Sequence, residues 1–288
     1  MQTILIAGCG YLGTTVGALL ARLGYPVRGL RRNPAGLPDS IEPVRGDLTD
    51  PGLELAPADW LVFAAAPSSR GEAGYRAIYV DGLARVLDAL ERAGALPSRA
   101  LFVSSTAVYG QDGGEWVDED SPTVPADYRG ATLLEAEAHL RARVDTPISL
   151  RLGGLYGPGR TRLIESVLNG ESDFRAEPPN YTNRIHRDDA ALATVHLLEA
   201  EGPAPIYCGV DDGPAPRGEV LSWLANRLDA PRPRHVAQPV LGRGGNKRVS
   251  NARLRAAGYR FKYPTFREGY EQVIAAEGPS LWNREEAE

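Results

Sequence analysis

Gln2-Thr-Ile-Leu-Ile-Ala-Gly-Cys-Gly-Tyr-Leu-Gly13 joins a short apolar run to a glycine-rich turn. Residues 3–7 are almost uninterruptedly apolar and rich in β-branched side chains. That composition suits a strand buried on both faces of a parallel sheet. Gly8, Gly10 and Gly13 stand at G-x-G-x-x-G spacing, and Val16-Gly-Ala-Leu-Leu-Ala-Arg-Leu23 reads as a helix. Each glycine has its own task in such a unit. Gly8 permits the tight turn, Gly10 lets a pyrophosphate approach the backbone, and Gly13 lets the helix lie close to the strand. The amides at the helix start then face the anion. Tyr11 and Leu12 complete the turn, which is read as a dinucleotide-binding site.

The chain has 288 residues, enough for one large α/β domain or a domain with a smaller lobe. Hydrophobic residues make up 43% and charged residues 24%, ordinary values for a globular protein, and the net charge is −5. An acidic balance argues against a general nucleic-acid binder. The two cysteines, Cys9 and Cys208, have no zinc-site spacing, and such sparse use fits a reducing compartment. No metal site is expected. No run of about 18 apolar residues occurs, and no charged, apolar leader precedes the first strand, so a cytoplasmic protein without a membrane partner is expected.

A second strand is expected over residues 26–30, ending in Arg31-Arg32. An NAD site usually places an acid at this strand end, to bind the adenosine ribose 2′-hydroxyl. Here two guanidinium groups stand there instead, suited by charge and geometry to a 2′-phosphate. NADP is therefore favoured over NAD. A third strand over 41–45 leads to Gly46-Asp47, and Asp47 is a candidate acceptor for the adenine amino group. A fourth strand over 60–66 ends in Ala64-Ala65-Ala66, small side chains that leave room for a cofactor. A single helix is expected over 75–93, and a strand over 100–104. A polar loop over 111–127 then leads to a helix over 128–144. Alternating strands and helices predict an α/β protein, a Rossmann-type doubly wound parallel sheet with a small C-terminal lobe. The boundary is drawn after residue 155, with 1–155 as the dinucleotide-binding domain. Residues 156–288 form mainly the substrate lobe, with some segments returning to the sheet.

With Gly46-Asp47-Leu48, Val103-Ser-Ser-Thr-Ala-Val-Tyr-Gly110, Leu150-Arg-Leu-Gly-Gly-Leu-Tyr-Gly-Pro-Gly159 and Asn183-Arg-Ile-His-Arg-Asp-Asp-Ala190 in this order, the chain resembles the extended short-chain dehydrogenase/reductases. Within them it is similar to the NAD-dependent epimerase/dehydratase type, and to its atypical YeeZ-like subgroup through the shortened glycine spacing. The resemblance implies an oxidoreductase or isomerase acting on a small molecule, such as a nucleotide sugar or a carbonyl compound, and helix-paired homodimers are common in the superfamily. It adds Leu48 to the cofactor contacts. It places the catalytic Ser/Thr on Ser105 and the catalytic Tyr on Tyr128.

The superfamily Lys, four residues after that Tyr, is replaced by Thr132. A lysine there lies one helical turn from the tyrosine and favours phenolate, otherwise populated at roughly 0.1% at neutral pH. Thr132 can hydrogen-bond to the ribose but brings no charge, and Arg129 is expected on another face of the helix. Two readings follow: an enzyme with an incomplete Ser-Tyr-Lys set, or a dinucleotide-binding protein without turnover. Further on, Gly154 stands where sugar-nucleotide epimerases commonly have Asn. His186 is read as structural, and Asp188-Asp189 as caps of a helix over 190–200. The Arg-rich segment 232–248 is read as a flexible or anion-contacting loop, and 285–288 as a frayed end.

Overall fold

The computed structural model describes residues 1–69, 71–175, 177–237 and 245–282. Part of the Arg-rich loop, 238–244, and the end at 285–288 lie outside the described residues. Seven strands form the main sheet: β1 (Ile4–Ala7), β2 (Val27–Arg31), β3 (Glu42–Arg45), β4 (Trp60–Phe63), β5 (Arg99–Ser105), β6 (Thr146–Leu152) and β7 (Ile206–Gly209). Every neighbouring pair is parallel, in the order β7-β6-β5-β4-β1-β2-β3. The order reverses at β1, which has β2 on one side and β4 on the other, with Ala7 facing Leu30 and Phe63. In open α/β sheets a ligand crevice forms at such a switch point, beyond the carboxyl ends of the strands.

Alternation along β1 divides the core. Leu5 and Ala7 pack toward α3 (Asp81–Ala93) and α4 (Tyr128–Arg143), while Ile4 and Ile6 pack toward α1 (Tyr11–Arg22) and α6 (Arg187–Glu199). A third apolar cluster lies wholly in the later part of the chain. It joins α5 (Arg162–Leu168), α7 (Arg217–Arg227) and α9 (Phe266–Trp282) through residues such as Ile164, Leu221 and Val273. β7 and α6, also late in sequence, belong to the main sheet and its core.

Several elements depart from their sequence expectation. The helix expected over 75–93 is two, α2 (Glu72–Tyr79) and α3, with the bend at Val80. Gly82 sits just past it, where an added Cβ would meet Leu48 Cβ at 3.2 Å, so α3 passes close under the third crossover. Asp188 and Asp189 do not cap α6. His186 is its N-cap, with Nδ1 accepting the Asp188 amide hydrogen at 3.1 Å. Asp189 is instead buried and accepts from Tyr259 Oη, the Lys262 amide and the Tyr263 amide, at 2.7, 2.7 and 2.9 Å, tying the following segment to α6. His186 is fully buried, with Nε2 2.9 Å from Gln272 Oε1, and its role is structural as read. Among the described residues no helix is long and apolar enough to cross a membrane.

Candidate functional site

The glycine turn closes directly onto the switch point. The amides of Gly8 and Cys9 both donate to Leu30 O, each at 3.1 Å. Gly8 has φ +87°, and a Cβ there would lie 2.3 Å from Ala65 Cα, so only glycine fits. At Gly13 a Cβ would meet Gly8 O at 2.5 Å, which makes it the contact that brings α1 against the turn. Gly10, the N-cap of α1, has no heavy atom within 4 Å of its Cβ direction. The space beside it is open.

That space is part of a cavity of about 700 Å³. Gly8, Gly10, Tyr11 and Leu12 form one wall, and Arg31, Arg32, Asp47 and Leu48 form the end beyond β2 and β3. Ala64, Ala65 and Ala66 line it after β4, and Ser105 at the end of β5. Two of the cofactor candidates stay outside the wall. Gly13 acts through packing, and Thr132 is buried with its Oγ1 donating to Tyr128 O at 2.7 Å. A threonine bonded back to its own helix has no proton to offer a ribose. Asp47 Oδ1 accepts from the Thr49 amide and hydroxyl at 2.9 and 2.8 Å, and these bonds hold its pKa below the usual carboxylate value. It is a fixed anion within the field of Arg32. Neither Arg31 nor Arg32 is engaged in an ion pair among the described residues.

A second cavity, of about 900 Å³, opens from the first. Ser105, Leu133, Gly153, Leu155, Tyr79 and Arg160 line both. Ser105 also caps the short turn Thr106–Val108, its Oγ accepting the Ala107 amide hydrogen at 3.2 Å. Its own proton therefore remains available to a ligand. Arg129, Arg162 and Arg184 add positive charge to the second cavity, against Glu165. Arg184 is buried and donates to Thr182 Oγ1 at 2.7 Å.

Tyr128 is among the residues lining neither cavity. It begins α4, capped by Asp127, and its ring meets Tyr75 edge-on at 5.5 Å; Tyr75 does line the second cavity. Arg129 corrects the sequence expectation. Its guanidinium lies 5.2 Å from the Tyr128 ring centroid rather than on another face, and it lines the second cavity. At the first turn of a helix a long side chain can fold back over its neighbour.

Sequence reading missed the group that holds β5 in place. Glu137 of α4 and Arg151 of β6 form a buried ion pair, Arg151 Nη2 to Glu137 Oε2 at 2.7 Å and Nε to Oε1 at 3.0 Å. Ser104 Oγ donates to Glu137 Oε1 at 2.6 Å, and Arg151 Nη1 donates to Tyr109 Oη at 2.8 Å. The serine beside Ser105 is thereby locked. Arg151 stood within a quoted motif, but nothing in the spacing paired it with Glu137.

Asp211, following β7, is buried with Oδ1 accepting the Gly213 amide hydrogen at 3.1 Å. Burial pushes its pKa up to about 7, Arg184 opposing and Asp212 and Asp189 adding to the rise. An unfolded aspartate titrates near about 3.9. The folded form thus holds its proton more tightly, and Asp211 costs stability progressively as pH rises from about 4 through 7. Asp211→Asn should therefore melt higher than wild type at pH 8, with the gap closing by pH 4. A gap independent of pH in thermal melts would contradict this.

The family model described as the NAD dependent epimerase/dehydratase family matches residues 4–207. A protein from Methylobacillus flagellatus, provisionally assigned as an NAD-dependent epimerase/dehydratase, is 37% identical over 96% of this chain and 99% of its own, with a TM-score of 0.80. A conserved protein of unknown function from Silicibacter pomeroyi DSS is 30% identical over 96% and 99% of the two chains, with a TM-score of 0.76. The Bordetella bronchiseptica enzyme WbmG, solved with NAD and UDP, shares the fold at 21% identity over 96% and 94%, with a TM-score of 0.79. No curated protein matches the chain.

Proposed function

The chain belongs to the NAD-dependent epimerase/dehydratase family, and from that premise we propose that it uses NADP, or less tightly NAD, to act on a carbinol or carbonyl carbon of an anionic small molecule. The observation that carries this reading is Ser105, which lines both cavities at their junction. A dinucleotide suits the first cavity: Gly10 leaves room for pyrophosphate, and Arg31 and Arg32 suit a 2′-phosphate at the adenosine end. When bound, the nicotinamide supplies a two-electron acceptor and donor.

The second cavity takes the substrate. Ser105 holds the reacting oxygen with its free hydroxyl proton. Tyr128 lines neither cavity, so it can exchange the proton of that oxygen only by turning past Tyr75 into the second cavity. Arg129 supplies the positive charge that Thr132 lacks, although Asp127 partly neutralises it. The arginines of the second cavity favour a substrate carrying phosphate or carboxylate, and a nucleotide sugar is one such class. The neighbour holding NAD and UDP gives an analogy for it. The replacement of the superfamily Lys by Thr132 is the observation on the side of binding without turnover, and Ser105 at the junction of the cavities is the one on the side of the enzyme.

The test combines titration with a substrate panel. Arg31→Ala should weaken NADP binding about tenfold and leave NAD within about twofold, as expected for one lost charge-assisted pair. With nucleotide sugars and anionic carbonyl compounds, Ser105→Ala should lower kcat/KM about 100-fold or more for any substrate turned over. Equal effects of Arg31→Ala on both cofactors would sink the NADP preference. Turnover unaffected by Ser105→Ala would sink the assignment of the site.

A further inference from the structure

Arg160 is a cation that the fold holds against the first residue of α1, with no acid paired to it among the described residues. It ends the tight turn Gly157-Pro-Gly-Arg160, closed by its own amide bonding to Gly157 O at 3.0 Å. Gly157 and Gly159 have φ of +146° and +80°, conformations that favour glycine, and the Gly159 amide donates to Glu277 Oε1 of α9 at 2.8 Å. The backbone of the turn is thus fixed at both ends, while the side chain leaves it toward α1.

There the guanidinium lies 4.3 Å from the centroid of the Tyr11 ring. Tyr11 is the first residue of α1 and stands inside the glycine turn. Arg187 also approaches the Tyr11 ring, at 5.3 Å, but it is paired with Asp188 at 3.1 Å. Arg160 has only the Leu155 carbonyl, accepting from Nη1 at 3.2 Å, and no carboxylate partner among the described residues. Arg160 lines the first cavity with Gly10, Tyr11 and Leu12, and it lines the second as well.

We propose that Arg160 is the side-chain half of the pyrophosphate site: it binds the dinucleotide phosphates from across the cavity while the backbone amides at the start of α1, Tyr11 and Leu12, bind them from the other side. This rests on the dinucleotide reading of the first cavity. A pyrophosphate carries two negative charges, and a guanidinium fork matches phosphate oxygens in geometry as well as sign. The tyrosine face holds the cation near the site before the anion arrives. The later part of the chain, which supplies the turn, thereby takes part in cofactor binding.

The test compares NADPH with adenosine 2′-monophosphate, which keeps the adenosine and its 2′-phosphate but lacks both phosphates of the pyrophosphate. Arg160→Ala should weaken NADPH about tenfold by calorimetric titration, leave the monophosphate within about twofold, and make NADPH binding less salt-dependent. Arg160→Lys should recover part of the loss. The side chain is exposed, so melting temperatures should match wild type. NADPH affinity unchanged in Arg160→Ala would overturn the proposal, as would an equal loss for both ligands. Wild-type protein that binds the monophosphate and NADPH equally would overturn it too, while leaving the adenosine end of the site standing. Wild-type protein that binds neither would overturn the dinucleotide reading itself.

Discussion

Glu137→Gln lowers the melting temperature by roughly 10 °C, the shift expected when one partner of a buried ion pair is lost at a cost of about 3–5 kcal/mol. The reason lies in what the substitution strands. Burial works against the charge on Arg151, but its bonds to Glu137 and the charge there outweigh it and raise its pKa above that of a free arginine. With side-chain exposures of 3% for Arg151 and 1% for Glu137, no water replaces the lost carboxylate. Ser104 loses its charged acceptor at the same time. Removing both charges with Glu137→Leu and Arg151→Met should recover part of the stability, since the apolar pair leaves no buried charge and strands only the Ser104 hydroxyl, Tyr109 keeping Cys208. A shift below about 2 °C in the single variant would mean that the pair adds little. Because Ser104 precedes Ser105 on β5, the single variant should also loosen the junction between the cavities.

Gly10→Val and Gly8→Ala separate binding from folding. At Gly10 an added Cβ meets no heavy atom within 4 Å, so the fold should survive with a loss of about 1 kcal/mol from a poorer helix cap. The branched side chain would fill the space where Gly10 lines the first cavity, and dinucleotide affinity should fall about 100-fold or more. Gly8→Ala is the opposite case. Its Cβ would lie 2.3 Å from the Ala65 backbone at a φ of +87°, so the strand-to-helix connection itself must shift. Expression and melting temperature should fall for Gly8→Ala and hold for Gly10→Val. If both variants melt like wild type and bind like wild type, the turn is not the pyrophosphate site.

How far the sequence could be read follows from the kind of signal each element carries. Strands β1 to β5 were legible as short runs bounded by turn residues, with ends shifted by a few residues, whereas β6 and β7 were not read as strands and only a return of later segments to the sheet was expected. The glycine turn was legible because three separate constraints coincide at its spacing. Helix α9 was not. Gly269, Gly278 and Pro279 all count against a helix. Gly269 is there for contact, since a Cβ would lie 1.8 Å from Tyr156 Oη and hold α9 off the site. Short pairs such as Gly154–Tyr156 with Arg184–His186 are too brief to show a period of two.

At the site, the first cavity gathered most of the predicted cofactor contacts because they sit at strand ends, which the sheet order brings together. Thr132 and Arg129 depended on side-chain direction at a helix start, which spacing does not encode. Glu137 with Arg151 depended on a tertiary pairing between α4 and β6. The subgroup within the family rests on the shortened glycine spacing alone.

The central claim is that the switch-point cavity is a dinucleotide site. Calorimetric titration of the wild-type protein with NADPH and with NADH tests it most directly. The account predicts saturable binding at one site per chain, tighter for NADPH, and abolished in Gly10→Val protein that melts normally. No saturable binding of either dinucleotide, or binding unaltered in Gly10→Val, would contradict it.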